Sequence, residues 1–198
     1  MKAHNKETQA QMTPRKALQF LQEGNNRFIN NLKANRNLLE QVNETRDGQW
    51  PFATILSCID SRTSAELIFD QGLGDIFSVR IAGNIVNTDI LGSMEFACKV
   101  AGSKLIVVLG HSKCGAVKGA CDHVKLGNLT ELLSKIQPAV YEESTITEDR
   151  SSSNSAFNFF LSSLSLFIIS FAFFTILFFS FLTIFLTSFS SFLLALNS

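Results

Sequence analysis

The sequence has no charged residue after Arg150. Its last 48 residues also lack Gly, Pro and Val, and they consist mainly of Phe (13), Ser (13), Leu (9) and Ile (4). The first 150 residues, in contrast, carry all 17 basic and all 17 acidic side chains. A tail of such low complexity differs in kind from the chain before it. We therefore predict one folded domain at residues 1–150 and a separate apolar tail at residues 151–198.

The chain also lacks a net charge and a regular cysteine pattern. Its 17 Lys and Arg balance 17 Asp and Glu, so there is no global electrostatic reason to expect nucleic acid as a partner. The four cysteines are irregularly spaced, and the polar amino terminus contains no apolar targeting segment. These features argue against a secreted disulfide framework. We expect a cytoplasmic protein whose thiols are free or bound to metal.

Short β-rich runs alternate with helical periodicity through the first segment. An amphipathic helix is predicted to begin at Thr13 and Pro14. The predicted strands cover residues 51–58, 75–82 and 104–111. The predicted helices between and after them cover residues 64–72, 88–102, 114–124 and 129–140. This order predicts an α/β fold, a mostly parallel β-sheet flanked by helices, with an amino-terminal helical arm.

Side chains that bind metals follow two of the predicted strands. Cys58 ends the first strand, and His111 and Cys114 follow the third. The carboxyl ends of parallel strands meet at one edge of a sheet, where ligands collect, so we expect these side chains to converge. A Cys or a His alone at such a position is more often an ordinary core or loop residue. Two thiolates and one imidazole with an open fourth position are typical of catalytic zinc.

The two motifs that contain these residues resemble those of the β-class carbonic anhydrases. They are C-x-D-x-R at residues 58–62 and H-x-x-C at residues 111–114, and the similarity extends to VRIAGNIV at residues 79–86. It covers roughly residues 15–145. The resemblance implies the reversible hydration of carbon dioxide to bicarbonate and a proton. It also implies one Zn²⁺ per chain, bound by Cys58, His111 and Cys114.

Asp60 and Arg62 are the predicted catalytic residues besides the metal ligands. Alternate spacing on an extended segment places them on the same side as Cys58. Zinc would make hydroxide available near neutral pH, and the Asp60 carboxylate would accept its proton in a hydrogen bond and orient it toward carbon dioxide. Arg62 would keep Asp60 ionised and oriented. The alternative interpretation is a solvated surface pair, which is common for Asp and Arg at this spacing.

Further roles follow only from the resemblance. It implies a substrate pocket that includes Gln49, Phe77, Phe96 and Gly115, with Phe96 where plant-type relatives usually carry Tyr. It also implies a homodimer or higher homo-oligomer, in which Gln49 and Phe77 serve the neighbouring chain's zinc. In some family members the aspartate at the position of Asp60 becomes a fourth zinc ligand in a closed state. Gln49 favours the open state here.

The carboxyl-terminal strand or strands of the resembled family are missing from the pattern. In their place stands the tail, so we expect the third strand to have an exposed edge. Residues 157–196 are long enough to insert into a membrane, but they lack a turn signal, an aromatic belt and flanking basic residues.

The other interpretation of the tail is an artefact. Phe, Ser, Leu and Ile share thymine-rich codons, whereas Val, Gly, Asp and Glu, whose codons begin with guanine, are absent from the tail. We favour a frameshift or a run into T-rich DNA. Each interpretation of the tail gives an alternative function. An artefact would leave an inactive zinc-binding remnant of a carbonic anhydrase, and membrane insertion would give a membrane-anchored zinc domain.

Overall fold

The computed structural model describes residues 2–157 and the backbone of residues 167–170. The strands are β1 (Ala53–Ser57), β2 (Ile76–Arg80), β3 (Leu105–Leu109) and β4 (Phe167–Ser170). The helices are α1 (Lys6–Ala10), α2 (Pro14–Ile29), α3 (Leu38–Glu44), α4 (Ala65–Ile68), α5 (Thr88–Glu95), α6 (Gly115–Cys121), α7 (Gly127–Ser134) and α8 (Gln137–Glu142). A 3₁₀ turn covers Ala82–Asn84, and a π-helical turn, Phe96–Val100, continues α5.

The four strands form one sheet in the order β2-β1-β3-β4. β1 pairs in parallel with β2 on one side and with β3 on the other. Every residue of β1 is buried, because neighbouring strands cover its edges and helices cover both of its faces. The predicted α/β architecture with a mostly parallel sheet is thus confirmed.

Two apolar clusters pack the domain. The first joins α2, through Ala17 and Leu21, to Ile55 of β1 and Val107 of β3. The second contains the side chains of α6, α7 and α8, together with two cysteines at the sheet's carboxyl-terminal edge. Ile55 of β1 belongs to the first cluster, whereas Cys58, the residue directly after β1, belongs to the second.

The helix predicted at residues 129–140 is in fact two helices, α7 and α8. They are separated at Lys135 and Ile136, and Pro138 lies in the first turn of α8. Proline lacks a backbone N–H and is tolerated in a first turn but not in a helix interior. The apolar periodicity runs on through this break, which is why the sequence pattern suggested a single helix.

The outer edge of β3 is paired, contrary to the expectation of an exposed edge. β4 lies antiparallel to β3, with Leu105 opposite Ser170 and Val108 opposite Phe167. A ladder of this kind requires only backbone donors and acceptors in an extended segment, so a short apolar run of the tail can provide it. The remaining tail, including most of the predicted membrane-inserting stretch 157–196, lies outside the described residues. Among the residues that are described, no helix is both long and apolar enough to cross a membrane.

Packing continues across residue 150. The Arg150 guanidinium donates hydrogen bonds to the carbonyl oxygens of Val140, Glu143 and Ile146, and it lies 4.9 Å from the centroid of the Phe157 ring. Phe157 is completely buried in the cluster formed by α6, α7 and α8. The boundary at 150 stays a prediction, but the packed part of the chain extends to Phe157.

Candidate metal centre

Three side chains that could hold a metal ion converge at the carboxyl-terminal edge of the sheet. Cys58 directly follows β1, His111 follows β3, and Cys114 precedes the first residue of α6. Their ligand atoms all lie within 4.8 Å of one another, and the two Sγ atoms are 3.9 Å apart. Among the residues that the structure describes, no other group of three His, Cys, Asp or Glu side chains is arranged to hold a metal ion. The parallel register of β1 and β3 brings these loops together.

Both thiols of this cluster are buried. The Gly83 N–H lies 3.4 Å from Cys58 Sγ and donates a hydrogen bond to it. Burial raises the pKa of the Cys114 thiol, while the N–H groups of Val117 and Ala116 act in the opposite direction and the nearby Cys58 raises it further. The N–H groups of Val117 and Ala116 are thus placed to stabilise the Cys114 thiolate that a metal ion would require.

The surroundings of His111 determine which of its nitrogens is free. Nδ1 lies 3.0 Å from the carbonyl oxygen of Ser112. Since a carbonyl oxygen only accepts, this hydrogen bond requires the proton on Nδ1 and leaves a lone pair on Nε2. Nε2 is buried and has no hydrogen-bond partner among the described residues. A buried acceptor without a partner, on a residue whose ring lies close to two thiols, is typical of a metal ligand.

The cluster fits zinc by both geometry and ligand chemistry. Two sulfur ligands about 2.3 Å from a tetrahedral zinc ion lie about 3.8 Å apart, close to the observed separation of the Cys58 and Cys114 Sγ atoms. Two soft thiolates and one imidazole are the ligand set that zinc prefers over harder ions such as Mg²⁺. Cys58, Cys114 and Nε2 of His111 would hold the ion.

Asp60 lies beside the cluster and forms a bidentate ion pair with Arg62. Arg62 donates from Nε to Oδ1 at 2.9 Å and from Nη2 to Oδ2 at 2.8 Å, and its backbone N–H also donates to Oδ1. These hydrogen bonds hold the pKa of Asp60 well below its usual range. Asp60 Oδ2 is 3.9 Å from His111 Nδ1, too far for a hydrogen bond. Asp60 is thus an ionised carboxylate next to the metal-binding side chains.

Two residues that the sequence analysis did not single out hold the loop between Cys58 and Asp60. Arg80, the last residue of β2, donates from Nε to the Cys58 carbonyl at 3.0 Å and from Nη2 to the Asp60 carbonyl at 2.6 Å. The Thr63 hydroxyl lies 2.9 Å from the Asp60 carbonyl and 3.3 Å from that of Cys58. The sequence feature that could have identified them is their position: Arg80 belongs to the VRIAGNIV motif, and Thr63 directly follows C-x-D-x-R.

The predicted pocket residues do not all meet at this cluster. Phe77 and Phe96 line one open groove of about 830 Å³ between β2 and α5, and none of the three metal-binding side chains lines it. Phe77 is level with Thr54, toward the amino end of β1. Gln49 is exposed and precedes that same end of the strand. Gly115 alone adjoins the cluster, as the first residue of α6.

The other two cysteines are buried and do not belong to the group of potential metal ligands. Cys121 lies on α6 in the apolar cluster that this helix shares with α7 and α8, and Cys98 lies in the π-helical turn after α5. Burial raises the pKa of the Cys98 thiol to about 11 and also raises that of Cys121. Neutral buried thiols of this kind behave as small apolar side chains.

Comparison with known proteins agrees with this geometry. A family model described as "Carbonic anhydrase" matches residues 53–163, more than half of the chain. The chain belongs to the carbonic anhydrase family. Carbonic anhydrase 2 of Mycobacterium tuberculosis is 41% identical to it over 133 residues, which cover 64% of this chain and 64% of that protein. A carbonic anhydrase of Mycolicibacterium smegmatis is 38% identical over 134 residues, covering 64% of this chain and 65% of that protein.

Solved structures place the chain in the β-class of this family. One is described as belonging to two tetrameric β-carbonic anhydrases of Sordaria macrospora; it superposes with a TM-score of 0.53 at 26% identity and covers 64% of this chain and 69% of the other. The chain spans about 64–65% of the length of the two curated mycobacterial relatives. The activity of those whole proteins is therefore a proposal for this chain.

Proposed function

We propose that this chain catalyses the reversible, zinc-dependent hydration of carbon dioxide to bicarbonate and a proton. The observation that carries the proposal is the cluster of Cys58, Cys114 and His111 Nε2, whose spacing suits tetrahedral zinc, with an ionised carboxylate beside it. Three protein ligands leave one coordination position open for chemistry, as in catalytic rather than structural zinc sites.

Bound zinc would supply a Lewis acid that activates water near neutral pH. Asp60 would orient the nucleophile, because an ionised carboxylate can only accept a hydrogen bond and so holds an O–H proton toward itself and a lone pair away. Arg62 fixes that carboxylate through two hydrogen bonds from its side chain. Positioning of this kind reduces the entropy that the reaction would otherwise lose.

The arrangement of Asp60 supports the open form of the site. Both of its oxygens accept from Arg62, and Asp60 is not part of the metal-binding group. A carboxylate that moved onto the metal would have to give up at least part of this ion pair. Zinc coordination measured by X-ray absorption at neutral pH should accordingly show two sulfurs and one imidazole without a carboxylate oxygen. A coordinated carboxylate would contradict the open form.

The location of the pocket residues supports a homodimer or higher homo-oligomer. Gln49 and Phe77 lie toward the amino end of β1, whereas the cluster lies at its carboxyl end. These two residues would therefore serve the zinc site of a neighbouring chain, and the tetrameric relatives of Sordaria macrospora are consistent with such an assembly.

All four cysteines are free, which suits a reducing, cytoplasmic compartment.

The test is stopped-flow hydration of carbon dioxide, with zinc content measured on the same sample of the full chain. We expect one zinc per chain and measurable turnover. Asp60→Ala should retain zinc and lose at least about 100-fold in kcat/KM, the scale for losing a positioned proton acceptor. Asp47→Ala is the matched control, since Asp47 is an exposed carboxylate paired with an adjacent Arg in the same manner.

One alternative function is favoured by a specific observation. The last 48 residues are an uncharged, low-complexity tail rich in Phe and Ser, which suits an inactive zinc-binding remnant. Bound zinc without turnover in the wild-type chain would establish that alternative. A membrane-anchored zinc domain depends on the tail, and extraction of the full chain only with detergent would support it.

A further inference from the structure

The Arg80 side chain donates hydrogen bonds from two of its nitrogens to the backbone of the loop between Cys58 and Asp60. Nε donates to the Cys58 carbonyl at 3.0 Å, and Nη2 donates to the Asp60 carbonyl at 2.6 Å. The planar guanidinium fixes the separation of these two donors. A single rigid group therefore sets the relative position of residues 58 and 60.

Thr63 cannot replace this function. Its hydroxyl lies near both carbonyl oxygens, but it carries one proton and can donate to only one of them at a time. The shorter contact is to the Asp60 carbonyl, at 2.9 Å rather than 3.3 Å. The Cys58 carbonyl, on the residue that carries a thiol ligand, then depends on Arg80 for a strong donor.

We propose that Arg80 is a positioning residue of the metal centre. By holding the carbonyls of Cys58 and Asp60 it sets the direction of the Cys58 thiolate and keeps the Asp60 carboxylate in place beside the cluster. This inference rests on the proposed function, because it assumes that Cys58 ligates zinc. Arg80 acts through the backbone of the loop, whereas Arg62 acts on the carboxylate itself.

The solvent exposure of Arg80 distinguishes this role from a general contribution to folding. Arg80 is exposed at the end of β2, and neither apolar cluster of the domain contains it. Removing an exposed guanidinium opens no cavity, so the effect on global stability should be small. The effect on the metal should be larger, because groups that orient metal ligands typically change metal affinity or activity by about 10–100-fold when they are lost.

The experiment compares Arg80→Gln, Arg80→Lys and Arg46→Gln in the full chain. Zn²⁺ affinity is measured by competition with a chromophoric chelator, and the electronic spectrum of the Co²⁺-substituted protein reports the ligand geometry. We expect Arg80→Gln to bind Zn²⁺ about 10–100-fold more weakly and to shift the Co²⁺ spectrum. Arg80→Lys retains the charge but has a single donor atom, so its affinity should fall between wild type and Arg80→Gln.

Arg46→Gln is the matched control for the loss of an exposed positive charge. Arg46 pairs only with its exposed neighbour Asp47 among the contacts described, and the variant should keep wild-type affinity and spectrum. Wild-type affinity and an unchanged Co²⁺ spectrum in Arg80→Gln would overturn the inference. Should Arg80→Gln fail to fold, an Arg80→Lys variant identical to wild type would overturn it equally.

The same measurements separate this inference from the proposed function. A wild-type chain that binds zinc without turnover removes the proposed catalysis, yet the affinities of the Arg80 variants still decide the role of Arg80. A wild-type chain that binds no metal overturns both proposals together. Turnover in the wild type with unaltered metal binding in Arg80→Gln overturns only the inference about Arg80.

Discussion

The Sγ atoms of Cys58 and Cys114 lie 3.9 Å apart, although the two residues are separated by 56 positions in the chain. The parallel pairing of β1 with β3 produces this proximity, since each thiol follows the carboxyl end of its strand. Both thiols are buried. Two thiolates at this site without a metal ion would therefore be buried charges without a compensating cation, which is energetically costly.

Replacing Cys114 by Ser should remove zinc from the purified protein, because a hydroxyl is a much weaker zinc ligand than a thiolate. Metal content measured by mass spectrometry should fall from one zinc per chain to well below half. Cys98→Ser is the matched control, since Cys98 is a buried thiol outside the cluster. Equal loss of zinc in both variants would mean that the effect comes from general unfolding.

Gly83→Ala should destabilise the fold and disturb the hydrogen bond to Cys58. Gly83 has φ +66°, and an added Cβ would lie 2.7 Å from Ile136 Cδ1 and 3.1 Å from Ala116 Cβ. Strain of this kind should lower the free energy of unfolding by roughly 1–3 kcal/mol, and the midpoint of urea unfolding should fall accordingly. A wild-type midpoint in this variant would contradict the geometry.

Gly92→Ala is the control for that experiment. Gly92 lies in α5, and a Cβ there would meet nothing within 4 Å. Alanine in a helix is favoured over glycine by about 0.5–1 kcal/mol, so this variant should be slightly more stable than wild type. If the two substitutions change the free energy of unfolding in opposite directions, the local backbone, and not the loss of a glycine as such, is responsible.

Asp70 should contribute stability that is lost in acid. Burial raises the pKa of this carboxyl, but hydrogen bonds from Arg27, the Ala34 N–H and Arg36 outweigh burial, so the pKa is below its ordinary value of 3.8. The ionised form is therefore favoured by folding. Its contribution is complete above the unfolded-state pKa of about 4 and is lost as pH falls through the lower folded-state pKa.

The corresponding variant is Asp70→Asn. Asn tolerates the left-handed backbone of this position, φ +42°, so the change removes charge with little added strain. At pH 7 the free energy of unfolding should fall by roughly 1.5–3 kcal/mol. The difference from wild type should shrink in urea titrations below about pH 4. A difference independent of pH would exclude the ion pair as the cause; Asp47→Asn, at an exposed pair, should change little.

Phe157→Ala should show that the packed domain extends beyond residue 150. Phe157 is completely buried and lies against the Arg150 guanidinium. Truncation of a buried Phe typically costs about 3–5 kcal/mol. Phe28→Ala, at a ring that is 46% exposed, should cost far less. Comparable thermal midpoints for the two variants would place Phe157 outside the packed domain.

Much of the candidate metal centre could be predicted from short stretches of sequence. The β-rich runs that become β1, β2 and β3 are local patterns, and Cys58, His111 and Cys114 follow two of them at positions where a parallel sheet collects ligands. Strand propensity, helical periodicity and ligand type are properties of neighbouring residues, so they are visible without coordinates. The family was recognisable from the same motifs.

Tertiary structure alone decided which distant groups complete the site and the sheet. The hydrogen bonds from Arg80 to the Cys58 and Asp60 carbonyls join residues 20 or more positions apart, and no local pattern encodes their geometry. The pairing of β4 with β3 and the burial of Phe157 likewise depend on which backbone edge and which cavity remain open after the rest of the chain has packed. Sequence by itself determined the chemistry available at residues 58–62 and 111–114, whereas long-range packing determined how rigidly that chemistry is held.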